Sequence, residues 1–347
     1  MRTYVIAGLI VFAVLLPGRL AGQVPVLTEG PIHVELSGRV QTQFNTSSAD
    51  STFSTFEHRR VRLAAGLTID DWIEGRIDAN FAHGFRLEDA WMNLGFHPAF
   101  QVQVGQFKKP FSRVELISSS AIFPIERGLR IRGLQPISEH HLLLDEQGYL
   151  GRELGAQIHG VAGVFRYWLG AFNGTGPNLR DENDAKSFAG RLVLKLFEAP
   201  FEIGGAASQR EFAVVDSLGV EETESGLAVE LDMQYGGFRD PGLGLLVEVM
   251  HAKNFVVDDP MRGAQGILNW FQPLGDGRLQ GIEPLFRASY GDASTQFEGN
   301  SGLLLTPGLN VYFQGRNRLM LNWDYFMPEL DVIDPEHAIR AQLQLYF

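Results

Sequence analysis

Residues 56–81 read FEHRRVRLAAGLTIDDWIEGRIDANF, and their alternation decides the fold. Val61, Leu63, Ala65, Leu67 and Ile69 fall on one face of an extended chain, with Arg60, Arg62, Ala64, Gly66 and Thr68 on the other. Asp70-Asp71 marks a tight turn. Beyond it, Ile73, Gly75, Ile77, Ala79 and Phe81 alternate with Glu74, Arg76, Asp78 and Asn80. Both strands therefore carry one apolar and one charged face. In a soluble sandwich the apolar face would be core. In a membrane barrel it meets lipid, and the charged face lines water. The local pattern does not separate the two.

The same alternation runs outward from this hairpin and predicts sixteen strands, from Ile32–Phe44 to His337–Phe347. Numbered from the first strand, the odd connections include 45–55, 107–152, 174–185, 210–225, 254–262, 291–301 and 328–336. The even ones include 70–72, 97–99, 161–164, 197–200 and 315–317. An even strand count, with longer connections on one rim and shorter turns on the other, is the arrangement of an outer-membrane barrel. No internal repeat or linker divides the chain. The expected organisation is a signal peptide over 1–22 and one barrel domain over 23–347.

The chain opens MRTYVIAGLIVFAVLLPGRLAGQ: Arg2, an apolar run from Tyr4 to Leu16, then small residues to Gly22. That run is too short to cross a bilayer and reads as a secretory signal. The chain has 39 Gly, 25 Phe, no Cys and a net charge of −12. Without Cys, a disulfide framework and thiol-ligated metals are excluded. The acidic balance argues against nucleic acid as a partner. Trp72, Trp91, Trp168, Trp270, Trp323 and Tyr325 stand at strand ends, as interfacial girdles do, with Trp91 alternating toward the lumen.

The connection over 107–152 has no strand pattern of its own, and such a segment is usually functional or disordered. From Lys108 to Arg132 it holds six cations (Lys108, Lys109, Arg113, Arg127, Arg130 and Arg132) against two acids, Glu115 and Glu126, in a chain that is acidic overall. This reads as an electropositive constriction folded into a barrel. Alternation also points Arg191, Lys195, Arg287 and Arg340 inward, opposed by Glu74, Asp78, Asp89, Glu230, Asp232, Glu248, Glu283 and Asp324. His140-His141, near Asp145 and Glu146, reads as a loop feature rather than a metal site, because adjacent residues on an extended chain point apart.

Several segments together resemble the phosphate-selective porin O and P family: Arg59-Arg60, the Asp71-Trp72 turn, Leu87–Leu94, and Gly105-Gln106-Phe107-Lys108 with Pro110-Phe111-Ser112. Glu126-Arg127-Gly128-Leu129 and Gly151-Arg152-Glu153-Leu154-Gly155 follow in the same order. The resemblance implies a trimeric barrel of sixteen strands whose third outer loop folds inward, here Phe107–Arg152, with basic residues attracting anions. The chain departs from the family in having only five Lys.

The expectation is an all-β transmembrane barrel in the outer membrane that passes small solutes, anions such as phosphate among them. Its partners would be outer-membrane lipid, small anions and two further copies. It would use no cofactor, metal or catalytic residue. Arg60, Arg62, Arg76, Lys108, Arg113, Arg127, Arg130 and Arg132 are the candidate anion-binding residues. A non-selective porin, a plugged barrel acting as an adhesin, and an outer-membrane enzyme stand as alternatives.

Overall fold

The computed structural model describes residues 24–49, 54–130, 138–181, 185–196, 200–215, 221–330 and 333–347. The signal expected over 1–22 lies outside them. The described strands are β1 (Val24–Glu29), β2 (Ile32–Ser47), β3 (Ser54–Ile69), β4 (Ile73–Asn80), β5 (Arg86–His97) and β6 (Phe100–Lys108). After a long connection come β7 (Arg152–Ala162), β8 (Phe165–Phe172), β9 (Ser187–Leu196), β10 (Phe201–Val215), β11 (Glu221–Tyr235) and β12 (Gly242–Asn254). The last are β13 (Asp259–Pro273), β14 (Gly281–Asp292), β15 (Ser301–Tyr312), β16 (Arg318–Pro328) and β17 (Glu336–Tyr346).

From β2 to β17 each strand pairs antiparallel with its sequence neighbours, and β17 returns to β2, so sixteen strands close a barrel. Closure satisfies every strand edge, which a sheet crossing a bilayer requires. Sequence reading did not foresee β1, a short strand antiparallel to the first residues of β2. Phe347 lies just past β17, where its backbone N–H and C=O both bond to Gly38.

The outside of the barrel is apolar. Ile77, Leu169, Leu192, Leu231, Leu268, Ile339 and Leu343 are all exposed, while Arg62, Asp78, Arg191, Glu230 and Arg340 are buried inside. A soluble sandwich would invert that distribution, and lipid is the solvent that accepts it. Trp72, Trp270 and Trp323 are exposed on the outer face, as a girdle requires, whereas Trp91 and Trp168 line the lumen.

Inside, the connection between β6 and β7 supplies the core. Its described residues contain two short helices, α1 (Arg113–Leu116) and α2 (His140–Glu146). Val114 and Phe123 pack on Leu246, Ile267 and Leu285 of the wall. Phe111, Leu143, Leu144 and Tyr149 pack on Met250 and Met261, and Leu129 and Leu142 on Leu304 and Phe326. The inward face of β12–β16 thus offers the loop apolar side chains set among buried polar ones. Wall amides complete the seal: Asn310 donates to the Phe123 carbonyl at 2.9 Å, and Asn322 accepts from the Ile125 N–H at 2.7 Å. At Gly291 a Cβ would lie 2.6 Å from the Glu139 backbone nitrogen, so only glycine lets the loop approach so closely.

Candidate functional site

With the loop packed against β11–β16, open space remains along β2–β7. A cavity of about 560 Å³ there is lined by ten cationic side chains and three carboxylates. β3 contributes Arg59, Arg60 and Arg62, and Arg39 comes from β2, Arg76 from β4 and Arg86 from β5. Lys108, Arg127, Arg152 and Arg316 complete the cations; Asp78, Glu88 and Asp89 are the acids. Lys108, Leu116 and Gln157 also line a second cavity of about 320 Å³, so the two are adjoining parts of one lumen.

Most of these cations are held by carboxylates. Glu126 of the loop takes both nitrogens of Arg60, at 2.8 and 2.9 Å, and the Arg59 Nε at 3.1 Å. Burial alone would raise the Glu126 pKa; the Arg60 and Arg59 guanidiniums outweigh it and hold the carboxyl well below the usual range. Arg62 and Arg76 share Asp78, at 2.8 and 3.2 Å. A register shift between β4 and β5 at Asp78/Ala79 lets Glu88 and Asp89 both meet Arg152, at 2.9 and 2.7 Å. Glu115 receives Lys108 at 3.1 Å and Arg127 at 3.4 Å, and these cations overcome its burial to keep it ionised.

Arg39 and Arg316 differ, having no carboxylate partner among the described residues. Arg39 Nη1 donates to the Ser118 hydroxyl at 3.2 Å, and its Nε has no acceptor. Arg316 Nη1 donates to the Ser120 hydroxyl at 3.1 Å. The two hydroxyls lie 3.0 Å apart, so two guanidiniums flank one serine pair of the loop.

Of the residues singled out from the sequence, Arg60, Arg62, Arg76, Lys108 and Arg127 come together in the larger cavity. Arg113 lines the adjoining one, bonded to Asp232 and, at 2.8 Å, to Glu202. Arg130 is exposed and paired with Asp145 at 2.6 Å. Arg132 lies outside the described residues. The inward Arg287 and Arg340 are sealed beneath the loop on Asp324. Arg39, Arg86 and Arg316 also line the cavity without standing among the residues expected from the sequence, and Arg59 and Arg152 join them from the segments that carry the family resemblance. Arg39 was findable, since Ser37, Arg39, Gln41, Gln43 and Asn45 form the polar face of β2. Arg316 sits in a turn, where no period marks it.

A closed barrel with an apolar exterior and a lumen narrowed by a cation-rich loop defines an outer-membrane diffusion channel, a porin. The model of one family, phosphate-selective porin O and P, matches residues 34–211. The chain belongs to that family. Among solved structures it is similar to an anion-selective porin from Comamonas acidovorans, with 13% identity and a TM-score of 0.65 over 91% of this chain and all of that one. It is also similar to OmpT of Vibrio cholerae in its trimer form (11%, 0.62, 91% and 99%). A third is the outer membrane channel DcaP of Acinetobacter baumannii (10%, 0.62, 93% and 100%). At such identities these likenesses speak for the fold. No curated protein sequence matches the chain significantly.

Proposed function

We propose that this porin passes small anions, phosphate among them, by passive diffusion, and that it works as a homotrimer exported by the signal over 1–22. The observation that carries the reading is the excess of cations around the open lumen: ten line it, against three lining carboxylates and the loop's Glu115 and Glu126 behind them. An anion entering a narrow pore sheds part of its hydration and needs fixed positive charge in exchange. Guanidiniums suit phosphate because their planar fork donates two parallel hydrogen bonds. Arg39 and Arg316, free of carboxylates and joined by Ser118 and Ser120, offer the strongest attraction. The ion-paired arginines set a weaker field that lets the ion leave. The Comamonas neighbour is described as anion-selective and the Vibrio neighbour as a trimer, and both descriptions support the reading.

A second reading, a porin with little selectivity, is favoured by the pairing of Arg60, Arg62, Arg76 and Arg152 with Glu126, Asp78 and Asp89. Added phosphate separates them in a planar bilayer carrying chloride current. Block at low phosphate concentration supports phosphate binding in the lumen. Current unaffected by phosphate supports the second reading.

A further inference from the structure

We propose that His140, Glu230 and Glu248 form a site for one divalent first-row transition cation, of the zinc or cobalt kind, that ties the inward loop to the barrel wall. His140 opens α2 on the loop, Glu230 lies on β11 and Glu248 on β12, so the three donors come from three separate elements. All three side chains are closed to solvent. Two contacts hold His140 in place: its backbone N–H donates to the Ser289 hydroxyl at 3.2 Å, and Glu139 caps α2 just before it.

What points to a ligand is the imidazole itself. Neither of its ring nitrogens has a hydrogen-bond partner, and Glu230 Oε2 has none either. The neighbouring His141, by contrast, is bonded to Glu115 at 3.2 Å. His140 Nε2 lies 3.7 Å from Glu230 Oε2 and 3.6 Å from Glu248 Oε2. Those separations are too long for hydrogen bonds. They are close to the spacing of two donors that each stand ~2.1 Å from one ion at open angles. One donor atom from each residue lies within 4.8 Å of the other two.

The surroundings favour a cation. Glu230 and Glu248 are like charges in a water-excluded space; Arg191 Nη1, 3.8 Å from Glu230 Oε1, offsets part of that repulsion from the outer side, and a cation between the inner oxygens would offset the rest. Asp232 beside them is already engaged by Arg113 and Arg191. The outer oxygens are held by neighbours: Glu230 Oε1 accepts from the Arg113 N–H at 3.2 Å, and Glu248 Oε1 from the Val114 N–H at 2.8 Å and the Ser112 hydroxyl at 3.1 Å. Gln265 donates to Glu248 Oε2 at 2.6 Å and fixes its orientation, leaving that oxygen a further lone pair. An imidazole beside two carboxylates suits zinc or cobalt better than magnesium and calcium, which prefer all-oxygen cages.

The test uses the folded full-length barrel in detergent, stripped with chelator and then given Co2+ alone. The expected result is one Co2+ per chain that survives gel filtration, with the visible absorption of a low-symmetry nitrogen–oxygen site. The same is expected of His141→Ala, whose imidazole is engaged elsewhere. His140→Asn and Glu230→Gln should each lower bound Co2+ at least tenfold. Failure of the unmodified barrel to retain Co2+ would overturn the proposal and leave His140 as a buried imidazole packed between two acids. Equal retention by His140→Asn would overturn it too. Because the first arm reads the unmodified protein, misfolding of a variant does not spoil the test.

Discussion

Arg39 on β2 and Arg62 on β3 are direct cross-strand partners, yet only Arg62 has a carboxylate to hold it. Like charges placed directly opposite repel and destabilise a sheet. Here Asp78 relieves the repulsion on one side only, so the uncompensated charge belongs to Arg39. Replacing each residue should therefore do different things. Arg39→Ala should lower anion selectivity with little loss of heat stability. Arg62→Ala strands the buried Asp78 and should cost about 3 kcal/mol, the low end for a broken buried pair because Arg76 still contacts the acid. Reversal potentials and thermal unfolding of the two variants, side by side, check this.

Glu126→Gln removes the charge that holds Arg59 and Arg60, so anion selectivity should rise while the loop is anchored less firmly. The same carboxylate gives a pH prediction. Its pKa in the folded barrel lies well below the unfolded value of about 4.3. Its stabilisation is therefore fully present above that unfolded value and fades only as pH falls toward the folded one. Current through the unmodified channel should be steady from neutral pH down to about pH 5 as far as this contact is concerned. Excess current noise should appear only in stronger acid, and in Glu126→Gln it should be present already at neutral pH.

Arg130 gives a contrasting prediction. Its pair with Asp145 is solvent-exposed and lies outside both cavities. Arg130→Ala should change stability by no more than about 0.5 kcal/mol and leave selectivity unchanged. A reversal potential that moves as far as that of Arg39→Ala would contradict the placement.

Gly105, in the Gly105–Lys108 segment that carries part of the family resemblance, sits at φ +130°, and a Cβ there would lie 2.2 Å from the Ala90 carbonyl oxygen. Gly105→Ala should therefore cost about 1–3 kcal/mol of backbone strain or more, and disturb the β5–β6 pairing. Urea unfolding of the barrel measures it.

The barrel was legible because lipid imposes one rule on every strand. The alternation at Val61–Ile69 and the parity of the connections followed from that rule. The inward loop was legible from its length and from its cations at Lys108–Arg132. What a period cannot carry is which charge meets which. Glu126 reaches Arg60 of β3 only because the loop folds back, and so anchors the loop to the wall, whereas Glu115 balances charge within the segment, on Lys108, Arg127 and His141. His140 read as an extended loop residue, whereas it lies on a helical turn facing Glu230 and Glu248, which stand far along the chain. The register shift that brings Glu88 and Asp89 together has no signature in the sequence.

Anion selection follows from the excess of cations around the lumen. The most direct measurement is the reversal potential of the purified, reconstituted protein in a planar bilayer under a KCl gradient, repeated with the Arg39→Ala, Arg316→Ala double variant. A potential near the chloride equilibrium value, shifting markedly toward zero in the double variant, is the expected result. A potential near zero or on the potassium side in the unmodified channel would contradict the claim.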